Sequence, residues 1–160
     1  MSVMLRAATA ADVPLILQMI RELAEFEKLL DRVVATETLL HDALFGEVRR
    51  AEVLIAEVDG VPAAFALYCH NFSTFVGRAG LYLEDLYVRP PFRSLGIGKA
   101  LLIALAKIAV SRGCGRFEWS VLDWNQSAIG FYQRLGAVAQ DDWTVFRLDG
   151  DALQRLAGQR

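Results

Sequence analysis

The sequence predicts a single-domain α/β fold, a mixed and mostly antiparallel sheet flanked by helices on both faces. Three observations predict it. Asp59-Gly60 sits between two apolar, β-branched-rich runs, which is a hairpin signal. A long apolar strand at 79–88 passes through a glycine turn into a helix and then into another strand, a β-α-β pattern. No repeat, linker or low-complexity segment interrupts the 160 residues, so residues 1–160 read as one domain with a sizeable core.

The elements follow in order. Residues 3–7 form a short edge strand. Residues 9–30 read as a helix, with Thr9 and Asp12 as a capping pair. Val13, Ile16, Leu17, Ile20, Leu23 and Ala24 supply its apolar stripe. A second helix starts at Thr36 and ends near Gly46. The hairpin strands are AEVLIAEV and VPAAFALYCH, and AGLYLEDLYV is a third long strand. A helix over 98–112, a strand RFEWSVL, a short helix QSAIGFYQRL and a last strand WTVFRL complete the chain, with room for a short strand after Gly136.

Composition narrows the function classes. Apolar residues make up 54% and charged residues 22%, which fits a globular chain and not a disordered one. The net charge of −2 gives no footprint for nucleic acid or a membrane surface. The most apolar run, 100–106, lies between Lys99 and Lys107 and is too short to cross a bilayer. The first residues, MSVMLRAAT, have no signal-peptide core. Cys69 and Cys114 lack metal-ligand spacing and read as thiols of a reducing compartment, so the cytoplasm is expected. His41 and His70 are isolated, and no metal site is expected.

The segment RPPFRSLGIGKALL carries the strongest local signal. It is not a P-loop, because Arg93 holds the first glycine position and Ala100 follows Gly98-Lys99. It is not a dinucleotide fingerprint, because Leu101 stands where the third glycine belongs. What remains is Arg93, Ser94, Leu95, Gly96, Ile97, Gly98, spaced R-x-x-G-x-G. Unpaired N–H groups at a helix N-terminus, with Arg93 and Lys99 beside them, suit a pyrophosphate. A ligand-free turn is the plainer reading of a lone G-x-G. The strand before it changes the balance. Glu84 and Asp85 are adjacent in an apolar strand, so helices over both faces are expected to bury both acids, with surface exposure through a bulge or an edge position as the alternative.

LYLEDLYVRPPFRSLGIGKALL followed by VLDWNQSAIGFYQRLGA resembles the GNAT superfamily of acetyl-CoA-dependent N-acetyltransferases. With IRELAEFEKL it looks more narrowly like the diamine acetyltransferase branch, which acts on spermidine and spermine or on thialysine and related amines. The resemblance implies acetyl-CoA as cofactor. The backbone of Leu86, Tyr87 and Val88 would pair with the pantetheine arm, and Arg93 to Lys99 would cradle the pyrophosphate. Asn125, Gln126, Ser127 and Ala128 would meet the cofactor from the other side. Ser94 departs from the glycine of many relatives and resists a φ above zero.

Acyl transfer to an amine needs a proton removed from the ammonium, a donor for the oxyanion and a proton for the departing thiolate. Tyr132 is the candidate acid. Phe131-Tyr132 on a short helix ordinarily packs a core, but the resemblance places a tyrosine here beside the thioester sulfur. Glu84 is the candidate base, acting through water, and a backbone N–H near Leu86 is the candidate oxyanion donor. On the amine side the resemblance points to Phe26 and Glu27, while Glu22 and Glu25 read as a solvated helix face. Glu84 and Asp85, the strand residues Glu118, Trp119 and Ser120, and Asp141 complete that side. Strict polyamine acetylators resemble one another in an acid after the third strand. Here that loop, NFSTFVGR, has Ser73 and Thr74 and no acid, which favours a short diamine or a lysine-like amine. A peptide N-acetyltransferase and a non-catalytic acetyl-CoA-binding module are the rival readings. The family resemblance also implies a homodimer.

Overall fold

The computed structural model describes all residues, 1–160, and divides into two compact units, Met1–Ser120 and Val121–Arg160. The first unit holds a five-stranded sheet in the order β1-β2-β3-β4-β5. Its strands are β1 (Val3–Ala7), β2 (Glu52–Val58), β3 (Val61–Ser73), β4 (Arg78–Val88) and β5 (Phe117–Trp119). The first three pairings are antiparallel and β4–β5 is parallel, so the sheet is mixed as expected. Its helices are α1 (Val13–Phe26), α2 (Glu37–Phe45) and α3 (Ile97–Ser111).

Local chemistry sets these boundaries. Before α1, the Thr9 N–H donates to the Asp12 carboxylate at 2.7 Å, and Arg6 pairs with both Asp12 and Glu57. That guanidinium holds the Asp12 carboxyl down at about 2. Thr36 caps α2 by accepting from the Leu39 N–H at 3.2 Å. Asp59 and Gly60 both take positive φ, 49° and 81°, which is the mirror-image turn that a two-residue hairpin needs.

Alternation along the strands distributes the core between two faces. Ile55, Phe65 and Tyr87 lie in register with one another and pack with Ile16, Met19 and Leu23 of α1 and Leu44 of α2. Ala64 and Ala66 alternate onto the other face, where α3 packs against β2, β3 and β4 through Ile97, Leu101 and Leu105. Each large apolar side chain buried this way contributes about 1.5–3 kcal/mol of transfer free energy.

One irregularity in β4 decides the site. Leu67 of β3 pairs with Asp85, while its neighbour Tyr68 pairs with Leu83. Glu84 is left over as a β-bulge. The expected burial of both acids is therefore corrected: the bulge lifts Glu84 out of the pleat and it is exposed, whereas Asp85 remains half-buried.

The second unit contains α4 (Gln126–Arg134) and α5 (Gly150–Ala157). The last strand expected at 143–148 does not form, nor does a strand after Gly136. The aromatic and β-branched content of WTVFRL mimics a strand, but strand propensity needs a neighbouring strand to act. Helix α5 was not anticipated from the sequence.

Candidate active site

The bulge at Glu84 coincides with the point where β4 and β5 part. Their pairing covers only Leu81, Tyr82 and Leu83, opposite Phe117, Glu118 and Trp119. β4 runs on to Val88 with β3 on one side only. The Arg89 N–H donates to Ala63 O of β3 at 2.9 Å. Alternation then turns the main-chain groups of Tyr87 towards β3 and those of Leu86 and Val88 towards the open edge. Such an edge accepts an extended partner with amide groups of its own.

The edge leads into the glycine turn. After a 3-10 turn at Pro90–Phe92, Ser94 takes φ 67° and Gly96 takes φ 78°, and α3 begins at Ile97. The first intrahelical bond runs from the Ala100 N–H to Gly96 O, so the N–H groups of Ile97, Gly98 and Lys99 have no partner within the helix. A Cβ placed on Gly96 would meet no heavy atom within 4 Å, so the space in front of the turn is open. Ser94, Leu95, Gly96 and Lys99 are exposed. An N-terminus of a long helix, two left-handed residues before it and the cations Arg93 and Lys99 fit a pyrophosphate.

Beside this edge lies an acidic cluster. Phe26 is the last residue of α1 and Glu27 its C-cap. The Asp85 carboxyl is pushed up to about 6, first by burial and then by the charges of Glu84 and Glu27. Burial also raises the Glu27 carboxyl. Three carboxyl groups thus share one neighbourhood, with Cys69 next to it; burial raises that thiol, with Glu84 adding to the shift. A site of this kind favours a cation, because an ammonium relieves both the repulsion and the desolvation.

Further along the same strands, Glu118 accepts from Asn71 Nδ2 at 3.3 Å and Ser120 Oγ lies 3.0 Å from Tyr82 Oη. Trp119 meets Phe117 in a tilted pair, 5.0 Å between ring centroids and 60° between the ring planes. In the second unit Asn125 caps α4, its Oδ1 accepting from the Ala128 N–H at 3.3 Å. Gln126 Nε2 donates to Asp123 O at 3.0 Å, and Ser127 follows in the first turn. Tyr132 lies on α4 with its ring 5.7 Å from that of Phe131. Asp141 is exposed in a turn after α4.

Two contacts were not foreseen. Glu22 accepts from Arg89 Nη2 at 2.9 Å, from Arg89 Nε at 3.1 Å and from Tyr87 Oη at 3.3 Å, so it is not a solvated face residue. Arg93 stacks on Phe26 at 5.1 Å and on Tyr87 at 5.9 Å, and its Nε donates to Val88 O at 2.9 Å. The available signal was the spacing of Glu22 and Phe26, one helical turn apart on α1.

The acetyltransferase (GNAT) family matches residues 17–137. The thialysine N-epsilon-acetyltransferase of Sus scrofa is 40% identical, over 99% of this chain and 99% of that protein. The L-ornithine N5-acetyltransferase of Arabidopsis thaliana is 34% identical, over 95% of this chain and 86% of that protein. Among solved structures, an integron cassette protein of V. cholerae superposes with a TM-score of 0.83 at 28% identity, covering 99% of both chains. An open strand edge running into a helix N-terminus with unpaired N–H groups suits an acyl-CoA donor, and the chain belongs to the acetyltransferase (GNAT) family as an acetyl-CoA-dependent N-acetyltransferase.

Proposed function

We propose that the protein acetylates a primary amine of a small lysine-like or ornithine-like diamine, in preference to long polyamines. The observation that carries this reading is the cluster of Glu27, Glu84 and Asp85 beside the open edge of β4. A compact trio of acids suits a short dication. The end of β3 at Ser73 and the turn from Thr74 that follows it add no acid for a longer chain. The names of the thialysine and ornithine relatives point the same way.

In this reading acetyl-CoA supplies the acetyl group as a thioester. Leu86 and Val88 offer main-chain groups to the pantetheine arm, with Tyr87 between them. Arg93, Ser94, Leu95, Gly96, Ile97, Gly98 and Lys99 hold the pyrophosphate, and Asn125, Gln126, Ser127 and Ala128 add contacts from α4. Asp85 and Glu27 hold the substrate's positive charge, and Glu84 accepts the ammonium proton through water. The exposure of Glu84 suits that task, since a water reaches it freely. The Leu86 N–H is offered to the acyl oxygen. Tyr132 holds a proton at Oη for the departing sulfur, the general-acid role that a leaving thiolate needs. Phe26, Glu118, Trp119, Ser120 and Asp141 frame the acceptor.

We also infer one catalytic domain over residues 1–160, because the family match runs unbroken through the division at Val121. A homodimer in the cytoplasm completes the reading, supported by the exposed apolar segment at 143–148 and by two free cysteines.

Thiol release from acetyl-CoA, measured with thialysine, ornithine, lysine, putrescine and spermidine, tests the proposal. The highest kcat/KM is expected with thialysine or ornithine. Spermidine ahead by a wide margin would overturn the preference, and cofactor binding without turnover on any amine would favour a non-catalytic module. Tyr132→Phe is expected to keep coenzyme A affinity and lose kcat by about 100-fold. Unchanged turnover at saturating amine would remove Tyr132 as the acid.

A further inference from the structure

Glu22 and Phe26 stand four residues apart on α1, and Arg89 and Arg93 stand four residues apart across the Pro90–Phe92 turn. The two pairs meet rung for rung. Glu22 takes both Arg89 Nη2 and Arg89 Nε, at 2.9 and 3.1 Å, while Phe26 lies 5.1 Å beneath the Arg93 guanidinium. Arg89 is held from the other side as well, through its Nη1 to Pro62 O at 3.2 Å and its N–H to Ala63 O at 2.9 Å. Tyr87 joins both rungs, donating to Glu22 and lying under Arg93.

The brace therefore connects two places with separate tasks. One is the segment 89–96 that shapes the pyrophosphate cradle. The other is the last turn of α1, which ends in Phe26 and Glu27 beside Asp85. A forked, charge-assisted and half-buried pair with a third donor is stiffer than an ordinary surface ion pair. We propose that Glu22 and Arg89 are positioning residues that couple the two places, so that loading the cradle orders the turn carrying Phe26 and Glu27. Neither residue touches the reacting atoms.

This rests on the cofactor assignment, and its kinetic arm also rests on the amine proposed above. The deciding experiment is amide hydrogen exchange of residues 23–28 with and without coenzyme A alone, in the wild-type protein and in Glu22→Gln. Coenzyme A is expected to slow exchange there about fivefold in the wild type and less than about twofold in Glu22→Gln, a coupling of ordinary size. With thialysine, Glu22→Gln is expected to raise KM about fivefold and hold kcat within about twofold, a split that general loosening of the fold does not produce. The reversed pair, Glu22→Arg with Arg89→Glu, should restore at least half of the lost protection, which separates coupling from simple misfolding. The proposal fails if coenzyme A leaves residues 23–28 unprotected in the wild type, or protects them equally in Glu22→Gln. A wild type that shows brace-dependent protection but acetylates no amine would sustain the brace and sink the amine reading.

Discussion

Asp85, with its carboxyl pushed up to about 6, changes charge just below neutral pH. Burial is the main cause, followed by Glu84 and Glu27. The ordinary value is 3.8, so between roughly pH 4 and 6 the folded chain binds a proton that the unfolded chain has lost. Stability from this group is full below that window, falls as pH rises through it and is flat above. Asp85→Asn removes the titration. It is expected to stabilise the protein at pH 8 by about 1–3 kcal/mol relative to wild type, with no slope from this group between pH 4 and 6. Amine binding should move the other way. The ionised carboxylate attracts the cation, so the wild-type KM for the amine rises as pH falls through about 6, and Asp85→Asn flattens that dependence. Urea midpoints at several pH values, paired with KM at the same values, check both. A variant with the wild-type slope in each would remove Asp85 as the titrating group. The contrast with Asp12 is instructive: there the Arg6 guanidinium lowers the carboxyl, and its stabilisation is lost as pH falls from 3.8 towards about 2.

At the scale of elements, the cradle depends on two left-handed residues of unequal ease. Gly96 takes φ 78° without strain, whereas Ser94 at φ 67° carries a Cβ into the same region. Ser94→Gly should relieve about 1 kcal/mol of backbone strain, part of it offset by the freer unfolded chain, and leave coenzyme A affinity at least as tight. Gly96→Ala should strain the turn by about 1 kcal/mol through φ alone, since its Cβ meets nothing within 4 Å, and weaken coenzyme A. Denaturant midpoints and calorimetric titration read both effects. A tenfold loss of affinity in Ser94→Gly would mean that the hydroxyl itself binds the cofactor. Elements written in local chemistry were legible in the sequence: the Asp59-Gly60 hairpin, the Thr36 cap and the glycine turn, whereas α1 stops at Phe26, short of the helix read over 9–30. The bulge at Glu84 was open only as an alternative, raised by two acids inside an apolar strand; its place is a mismatch of register between β3 and β4 that neither strand shows by itself. The Glu22–Arg89 brace was hidden for the same reason, its partners lying 67 positions apart. Helix α5 is short but clearly amphipathic, with Ala152, Leu153, Leu156 and Ala157 on one face, so the sequence did carry a periodic signal for it.

For the whole molecule, the segment WTVFRL poses the remaining physical problem. Trp143, Val145 and Phe146 are 75%, 86% and 92% exposed, in a stretch with strand-like composition but no strand partner. Single exposed apolar residues are ordinary, but a contiguous run of large ones is the mark of a surface that meets another molecule. A second copy of the chain is the occupant that needs no additional partner, and an isologous contact would bury the run twice with one interface. Light scattering is therefore expected to give twice the single-chain mass of 17.8 kDa. Phe146→Lys, which places a charge at the most exposed of the three, should shift the mass towards one chain, with far-ultraviolet circular dichroism preserved. A wild-type protein at the single-chain mass across all assay concentrations would refute the dimer. A dimer indifferent to Phe146→Lys would place the interface elsewhere, and WTVFRL would then stand as an exposed apolar strand former of the sort that favours aggregation.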